Sequence, residues 1–478
     1  MACVSHDASK QTPGPASGPS TLHLSADQVE QLRSTVAQQF PKVVSDLSDL
    51  VRIPSVSAPA FDQIHVQHSA QAVASLLQGA GMQQVDILTV EGGAPAVLAH
   101  SPGPDGARHV VLYAHHDVQP PATGWTTDPF EPTVVGERMY GRGAADDKAG
   151  VMAHVGAIRA LTQVSGGALP VSLTVFVEGE EEIGSPTFAE FLAQYGSRIH
   201  SDVVVVADSA NWKVGIPALT TSLRGLVDAV VQVDVLEHSV HSGMFGGPVL
   251  DAITLLARLI ATLHDDAGDV AIAGLVSGSA AALDYPEDEF RAEASVLDGV
   301  RLAGTGSIPD RLWTKPALSV IGIDAPSVEH SSNTILHSAR AKISLRLAPG
   351  QDPQAAEEAL RAHLLASAPF GARVTVTPGE WGQSFKAPSG ADTRASAAMD
   401  VARAAFATAW GRPAVDVGMG GSIPFIADLL EVSPDAAILI TGVEDPDSRA
   451  HAANESVHLG ELQKVVLAEA LLLASFGA

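Results

Sequence analysis

The sequence predicts an α/β protein, with a mostly parallel sheet in one domain that is split by an inserted, ferredoxin-like α+β domain. Three observations predict it. From His109 onward, short apolar runs alternate with helical segments, the signature of parallel strands joined by helices. Near Leu226 the pattern changes to two strand-helix-strand units in succession. After Pro388 the first pattern resumes.

The elements follow in order. The Pro-, Gly- and Ser-rich stretch Asp7 to Ser20 reads as part of a mobile arm over residues 1–24. Ser25 and Gln28 have capping-box spacing and Leu24 with Val29 form a hydrophobic staple, so a helix starts here and is expected to end near Pro41. The run HVVLYAH, a helix from Lys148 to Leu161, the run VSLTVFVE, a further helix and the run DVVVVAD build the first sheet. The insertion is read over 214–383, from LVDAVVQVDV, a helix from Pro248 to His264, SVIGID, AKISLRLAP, a helix from Pro353 to Ala366 and RVTVTPG. A helix over Ala395 to Trp410 and the strand AAILITG return to the first domain, which therefore comprises 25–213 and 384–478. Ala271 to Leu312 has weak periodicity and reads as an elaboration of the insertion.

Composition narrows the function. The 478 residues carry 54 acidic against 28 basic side chains, a formal charge of −26, opposite to the footprint of a nucleic-acid binder or of a protein for acidic membranes. The one cysteine, Cys3, allows neither an internal disulfide nor a thiolate zinc cage, so any metal rests on His and carboxylate. No apolar run reaches the roughly 18 residues of a membrane span, and Met1 to Thr21 lacks a secretory h-region, so the expected compartment is the cytoplasm.

The candidate chemistry collects at strand ends. His115-His116-Asp117 closes HVVLYAH, where α/β sheets present ligand groups; in extended chain His115 and Asp117 face the same side, as a metal-bound imidazole and the carboxylate orienting it would. Asp146 and Asp147 open a helix. The preceding Gly141-x-Gly143 invites a dinucleotide-loop reading, but Asp146 stands where that motif needs a third glycine. Glu178, Glu180, Glu181 and Glu182 crowd the end of VSLTVFVE, where mutual repulsion is relieved if one binds a cation and one is held as a base. Asp208 ends DVVVVAD, and His451 lies in the loop after the last strand. Together His115, Asp146, Glu182, Asp208 and His451 have the composition of a two-metal hydrolytic centre.

The runs LYAHHDVQPP, GWTTDPFEP, YGRGAADDKAG and EGEEEIGS, in this order, resemble the co-catalytic zinc peptidase family of carnosinase, aminoacylase, glutamate carboxypeptidase and succinyl-diaminopimelate desuccinylase, in its dipeptidase branch. The resemblance implies two divalent metals per chain, zinc first with manganese or cobalt as alternatives. It makes His115 and Asp208 ligands of one metal, Glu182 and His451 ligands of the other, and Asp146 the bridge. It also implies a cis peptide between Asp146 and Asp147, Asp117 as the residue orienting His115, and Glu181 as general base. For the substrate it points to His241, acting across a homodimer interface made by the insertion as lid, to Arg346 for the substrate carboxylate, to Asn333 and Thr334, and to Gly421 and Ser422 in the GGSIP loop. One departure stands out: many relatives carry a charged pair just before that loop, where this chain has Gly418-Met419.

The function expected is therefore hydrolysis of the amide bond of dipeptides or short peptides, by water acidified on the metals from about 15.7 toward 7 and deprotonated by Glu181. Asp208 favours dipeptides, since deacylases of the family tend to carry Glu there. The alternative with the same machinery is an N-acyl-amino-acid deacylase. A dinucleotide-dependent oxidoreductase and a metal-free binding protein are the rivals from other classes, and no G-x-S-x-G elbow supports a serine hydrolase.

Overall fold

The computed structural model describes residues 22–279, 283–388, 394–421 and 424–478, so most of the expected arm falls outside the described residues. The first helix is Ala26–Val51, and its start is the capping box read from the sequence: Gln28 N donates to Ser25 Oγ at 3.3 Å and Ser25 N to Gln28 Oε1 at 2.8 Å. Its end differs from expectation, because the helix runs through Pro41. An interior proline costs about 3 kcal/mol, but Val43, Leu47, Leu50 and Val51 beyond it are all buried, at roughly 1.5–3 kcal/mol each, and outweigh the break.

The main sheet runs, from one edge, Gln84–Leu88, Ala96–Ser101, Ser172–Glu178, His109–His115, Val203–Val206, Ala437–Ile440, Ala218–Leu223 and Phe385–Lys386, with Val415–Met419 also paired to Ala218–Leu223. The four central strands are parallel, but both flanks are antiparallel, so the sheet is mixed rather than mostly parallel. Chain connection explains the difference: Leu88 and Ala96 are too close in sequence for a parallel crossover, which needs a dozen or more residues. In the centre, Tyr113 pairs in register with Phe176 on one side and Val206 on the other. This alignment sets His115, Glu178 and the residues after Val206 side by side at one end of the sheet. The buried helices Lys148–Ser165 and Leu459–Phe476 and the first helix pack together over the same core.

Residues 225–382 form a second, four-stranded antiparallel sheet in the order Ala317–Asp324, Ser338–Leu347, Gly225–Asp234, Arg373–Gly382. Its helices Ala252–Ala261 and Pro353–Ala366 cover one face and share a separate core that includes Val231, Leu255, Leu259, Ile343 and Leu360. The first of these is shorter than the expected Pro248 to His264, because Asp251 caps it by accepting from Thr254 N at 2.9 Å. The elaboration before Leu312 contains the helix Glu287–Glu293 and leads into a π-helical turn, Asp310–Thr314.

Candidate metal centre

The carboxyl ends of the central strands gather the predicted residues. His115 is fully buried; its Nδ1 lies 3.1 Å from the Asp117 carbonyl and 3.4 Å from Asp117 Oδ1, and its Nε2 lies 3.1 Å from Asp146 Oδ1. Asp146 Oδ2 lies 2.9 Å from His451 Nε2, which in turn lies 3.1 Å from Glu182 Oε2. Asp146 therefore stands between two imidazoles. Glu181 Oε2 lies 4.0 Å from His115 Nε2, and ligand atoms of His115, Glu181 and Asp208 lie within 4.8 Å of one another, as do those of His115, Asp146 and Glu182. The Asp146-Asp147 peptide is cis.

Local chemistry fixes each group. Asp117 accepts from Glu181 N at 3.2 Å and Glu182 N at 3.0 Å, holding the turn after the Ser172–Glu178 strand. Gln119 N donates to Glu182 Oε1 at 3.0 Å, leaving Oε2 toward His451. Buried Asp147 accepts from His115 N at 3.2 Å rather than facing the cluster. Glu178 accepts from the Tyr113 hydroxyl at 2.8 Å, and Glu180 from Thr187 N at 2.8 Å and Ala94 N at 3.0 Å. His116 Nε2 donates to the Pro95 carbonyl at 2.8 Å.

His451 sits at a φ of 62°, a left-handed conformation that a non-glycine residue holds only when its surroundings impose it. The surroundings are two ion pairs that sequence reasoning missed. Arg138 grips Asp445 with Nη2 at 3.0 and 2.9 Å from its two oxygens, and fully buried Arg142 meets Glu455 at 2.5 Å while lying over the Trp125 ring. Glu455 also accepts from Ala145 N at 2.9 Å and Asp146 N at 3.1 Å, tying the His451 loop to Asp146. Glu444 is a further buried carboxylate, within electrostatic reach of Asp146, Asp208 and His451, that sequence reasoning did not single out.

The electrostatics ask for cations. Burial, with the charges of Asp208 and Glu182 adding to it, pushes Glu181 up to about 9, and burial with Asp146 and Glu182 pushes Asp208 up to about 6. Burial, then Asp146 and Asp208, raises Glu444 well above the carboxylate range. Conversely, hydrogen bonds to Asp146 and Glu182 push His451 up to about 11. Burial opposes charge on His115, yet its hydrogen bonds to Asp117 and Asp146 outweigh it and raise the imidazole well above 6.5. More carboxylate is packed here than can ionise unaided, and the two imidazoles are drawn into a cationic role. Such a donor set fits divalent metal. Ligand atoms about 2.1 Å from a tetrahedral zinc stand about 3.4 Å apart, close to the 2.9 and 3.1 Å contacts among His115, Asp146, His451 and Glu182.

None of the expected substrate residues that are described joins the clustered ligand atoms. Exposed His241 pairs with Thr334 across a short two-stranded ladder, Ser242 N donates to Asn333 O at 2.9 Å, and His241 Nδ1 accepts from Gly243 N at 3.1 Å. Half-buried Arg346 lies between Leu226 and Ala317 in the second sheet. Burial and the positive charge of Arg346 lower buried Arg224 to about 10; Arg224 donates to the Arg311 carbonyl, and its Nε has no partner among the described residues. Two guanidiniums so placed suit an anion, and Arg224 gave no sequence signal because it stands alone between two strands. Gly421 has open space beside it, while Ser422 lies outside the described residues.

Residues 111–475 match peptidase family M20/M25/M40. A cysteinylglycine-S-conjugate dipeptidase of Corynebacterium striatum is 34% identical over 444 residues, covering 91% of this chain and 96% of that protein. A Cys-Gly metallodipeptidase, dug1 of Schizosaccharomyces pombe, is 29% identical over 472 residues, covering 91% and 96%. The crystal structure of human carnosine dipeptidase 1 superposes with a TM-score of 0.72 at 24% identity, covering 94% of this chain and 98% of that one, and so shares the fold. The relatives favour dipeptide over N-acyl-amino-acid hydrolysis. Matched along nearly its whole described length, the chain belongs to peptidase family M20/M25/M40, in its dipeptidase branch, and is a metal-dependent hydrolase of dipeptides.

Proposed function

We propose that the chain cleaves dipeptides at a centre of two divalent metals, zinc first among them, with His115 and Asp208 on one, Glu182 and His451 on the other, and Asp146 between. The observation that carries this is the unbroken run of contacts His115-Asp146-His451-Glu182, which supports Asp146 as the shared carboxylate. When bound, the metals supply Lewis acidity, which acidifies water and polarises the scissile carbonyl. Glu181, beside both the cluster and solvent, takes a proton from the attacking water and returns one to the leaving amine, so that one peptide bond and one water become an amine and a carboxylate. Asp117 orients His115 and the Glu181-Glu182 turn. The single cysteine agrees with a reducing, cytoplasmic setting.

Residues 214–383 act in this proposal as an inserted lid and dimerisation unit. The strand Ala317–Asp324 lies at the edge of the second sheet, with no further strand paired to it among the described residues, and Ile321 and Ile323 on it are 56% and 55% exposed. An apolar open edge of this kind is suited to a second copy. His241, outside its own chain's metal cluster, then serves the partner's site, where it holds the developing oxyanion. Arg346 takes the substrate carboxylate, with Asn333, Thr334, Gly421 and Ser422 around the peptide. A dipeptide with a substituted amino-terminal cysteine, the substrate for which the Corynebacterium relative is named, is the first to assay. Chelation should abolish its hydrolysis, and zinc, manganese or cobalt should restore it; full activity in protein shown to be metal-free contradicts the proposal.

A further inference from the structure

A cleft of about 1120 Å³ adjoins the metal centre, reaching Ser209, next to Asp208, and Ala450, next to His451. It is larger than the 300–1,000 Å³ of most small-molecule sites, and far larger than glycine or alanine needs. Its far wall comes from the elaboration before Leu312 and the turn after it, through Glu289, Glu293 and Trp313. These close against Trp212, whose ring meets Tyr285 edge-on at 4.9 Å and Trp313 edge-on at 6.0 Å.

The wall is built rigidly. On the loop after Asp208, Asn211 N donates to Glu444 O at 2.8 Å and Asn211 Oδ1 accepts from Ala218 N at 3.1 Å, fixing the residue that precedes Trp212. Lys213 pairs with Glu289 across the two sides, and Tyr285 donates to Glu293 within the elaboration. Trp313 in turn rests on the backbone of Gly418: a Cβ there would come within 2.5 Å of Trp313 Cβ and 2.7 Å of its Cγ. The departure at Gly418-Met419 is thereby explained. The glycine makes room for the tryptophan, and Met419 adds an apolar side chain to the lining of the cleft.

We propose that this cleft receives the amino-terminal side chain of the dipeptide, and that Trp212, held between Trp313 and Tyr285, selects large apolar or aromatic groups there. The inference rests on the dipeptidase reading and specifies its substrate class. Glu289, Glu293, Glu444, Asp445 and Asp447 line the cleft against Lys213 and Arg449, an excess of acidic groups that disfavours the substrate's carboxylate end, whereas Arg224 and Arg346, near each other and not among the lining residues, suit that end. Preorganised aromatic walls bind such groups without an ordering cost at the moment of binding.

The test compares kcat/KM for Trp-Gly, Gly-Trp and Gly-Gly with metal-loaded protein. Wild type should prefer Trp-Gly to Gly-Gly by about tenfold or more, and Trp212→Ala should lower that ratio by about tenfold while the ratio of Gly-Trp to Gly-Gly stays within about twofold. Trp212→Phe and Trp212→Leu, which keep most of the volume, should rank between, and they carry the test if the alanine variant does not fold. An unchanged Trp-Gly to Gly-Gly ratio in all variants, or a change confined to Gly-Trp, overturns the assignment. If wild type cleaves none of the three while holding metal, it is the dipeptidase reading that fails instead.

Discussion

Asp117 accepts the backbone amide of Glu182 at 3.0 Å through Oδ2, so the residue beside His115 also fixes the turn that presents two further carboxylates. Its Oδ1 takes the Glu181 amide at 3.2 Å and lies 3.4 Å from His115 Nδ1. One carboxylate thus sets the position of the His115 imidazole and of the neighbouring Glu pair.

Asp117→Ala should therefore weaken metal binding by about 10–100-fold, the usual effect of removing a group that orients a ligand. Competition against a chelator of known affinity measures it. Unchanged affinity would mean that His115 and Glu182 are positioned by other contacts.

The dimer proposal predicts complementation between subunits. A His241→Ala chain and a Glu181→Gln chain, each inactive alone, should recover activity when mixed under conditions that exchange subunits. Two-fold symmetry gives the mixed dimer one site with both residues intact and one with neither, so recovery is at most about half of wild type per mixed dimer. Absence of recovery despite proven exchange would place His241 in its own chain's site or outside the reaction.

A buried pair outside the clustered ligand groups gives a pH prediction. His154 Nδ1 lies 2.9 Å from both Glu469 oxygens and its Nε2 lies 3.0 Å from the Tyr113 carbonyl, all buried. Burial opposes the imidazolium, but the Glu469 charge and hydrogen bond outweigh it and raise His154 above 6.5. A raised folded-state value stabilises fully below the unfolded value of 6.5 and is lost as pH rises through the folded one. Glu469→Gln should cost about 3–5 kcal/mol at acidic pH by leaving a buried charge unpaired. The gap in melting temperature between wild type and variant should shrink toward alkaline pH; a constant gap would contradict the ion pair.

Much of this was legible in the sequence because apolar runs that end in ligand residues are strong local signals. His109–His115 and Pro353–Ala366 match their expected spans residue for residue, and the capping box at Ser25 starts its helix as read. The edge strands were not legible: Gln84–Leu88 is exposed or half-exposed throughout, so no apolar run marks it, and with it went the antiparallel flank. Pro41 misled because local propensity yields to the burial of Val43 and Leu47. In the site, ligand candidates stood out by residue type, whereas Arg142, Glu455 and Arg224 act through partners distant in sequence, and no spacing encodes that.

The central claim separates base from ligand within one Glu pair. Metal content per chain, measured alongside turnover of one dipeptide, tests it most directly in Glu181→Gln and Glu182→Gln. Glu181→Gln should keep both metals and lose turnover by a factor on the order of 100 to 10,000, while Glu182→Gln should lose metal. The reverse pattern, with Glu181→Gln emptied and Glu182→Gln occupied, would contradict the account.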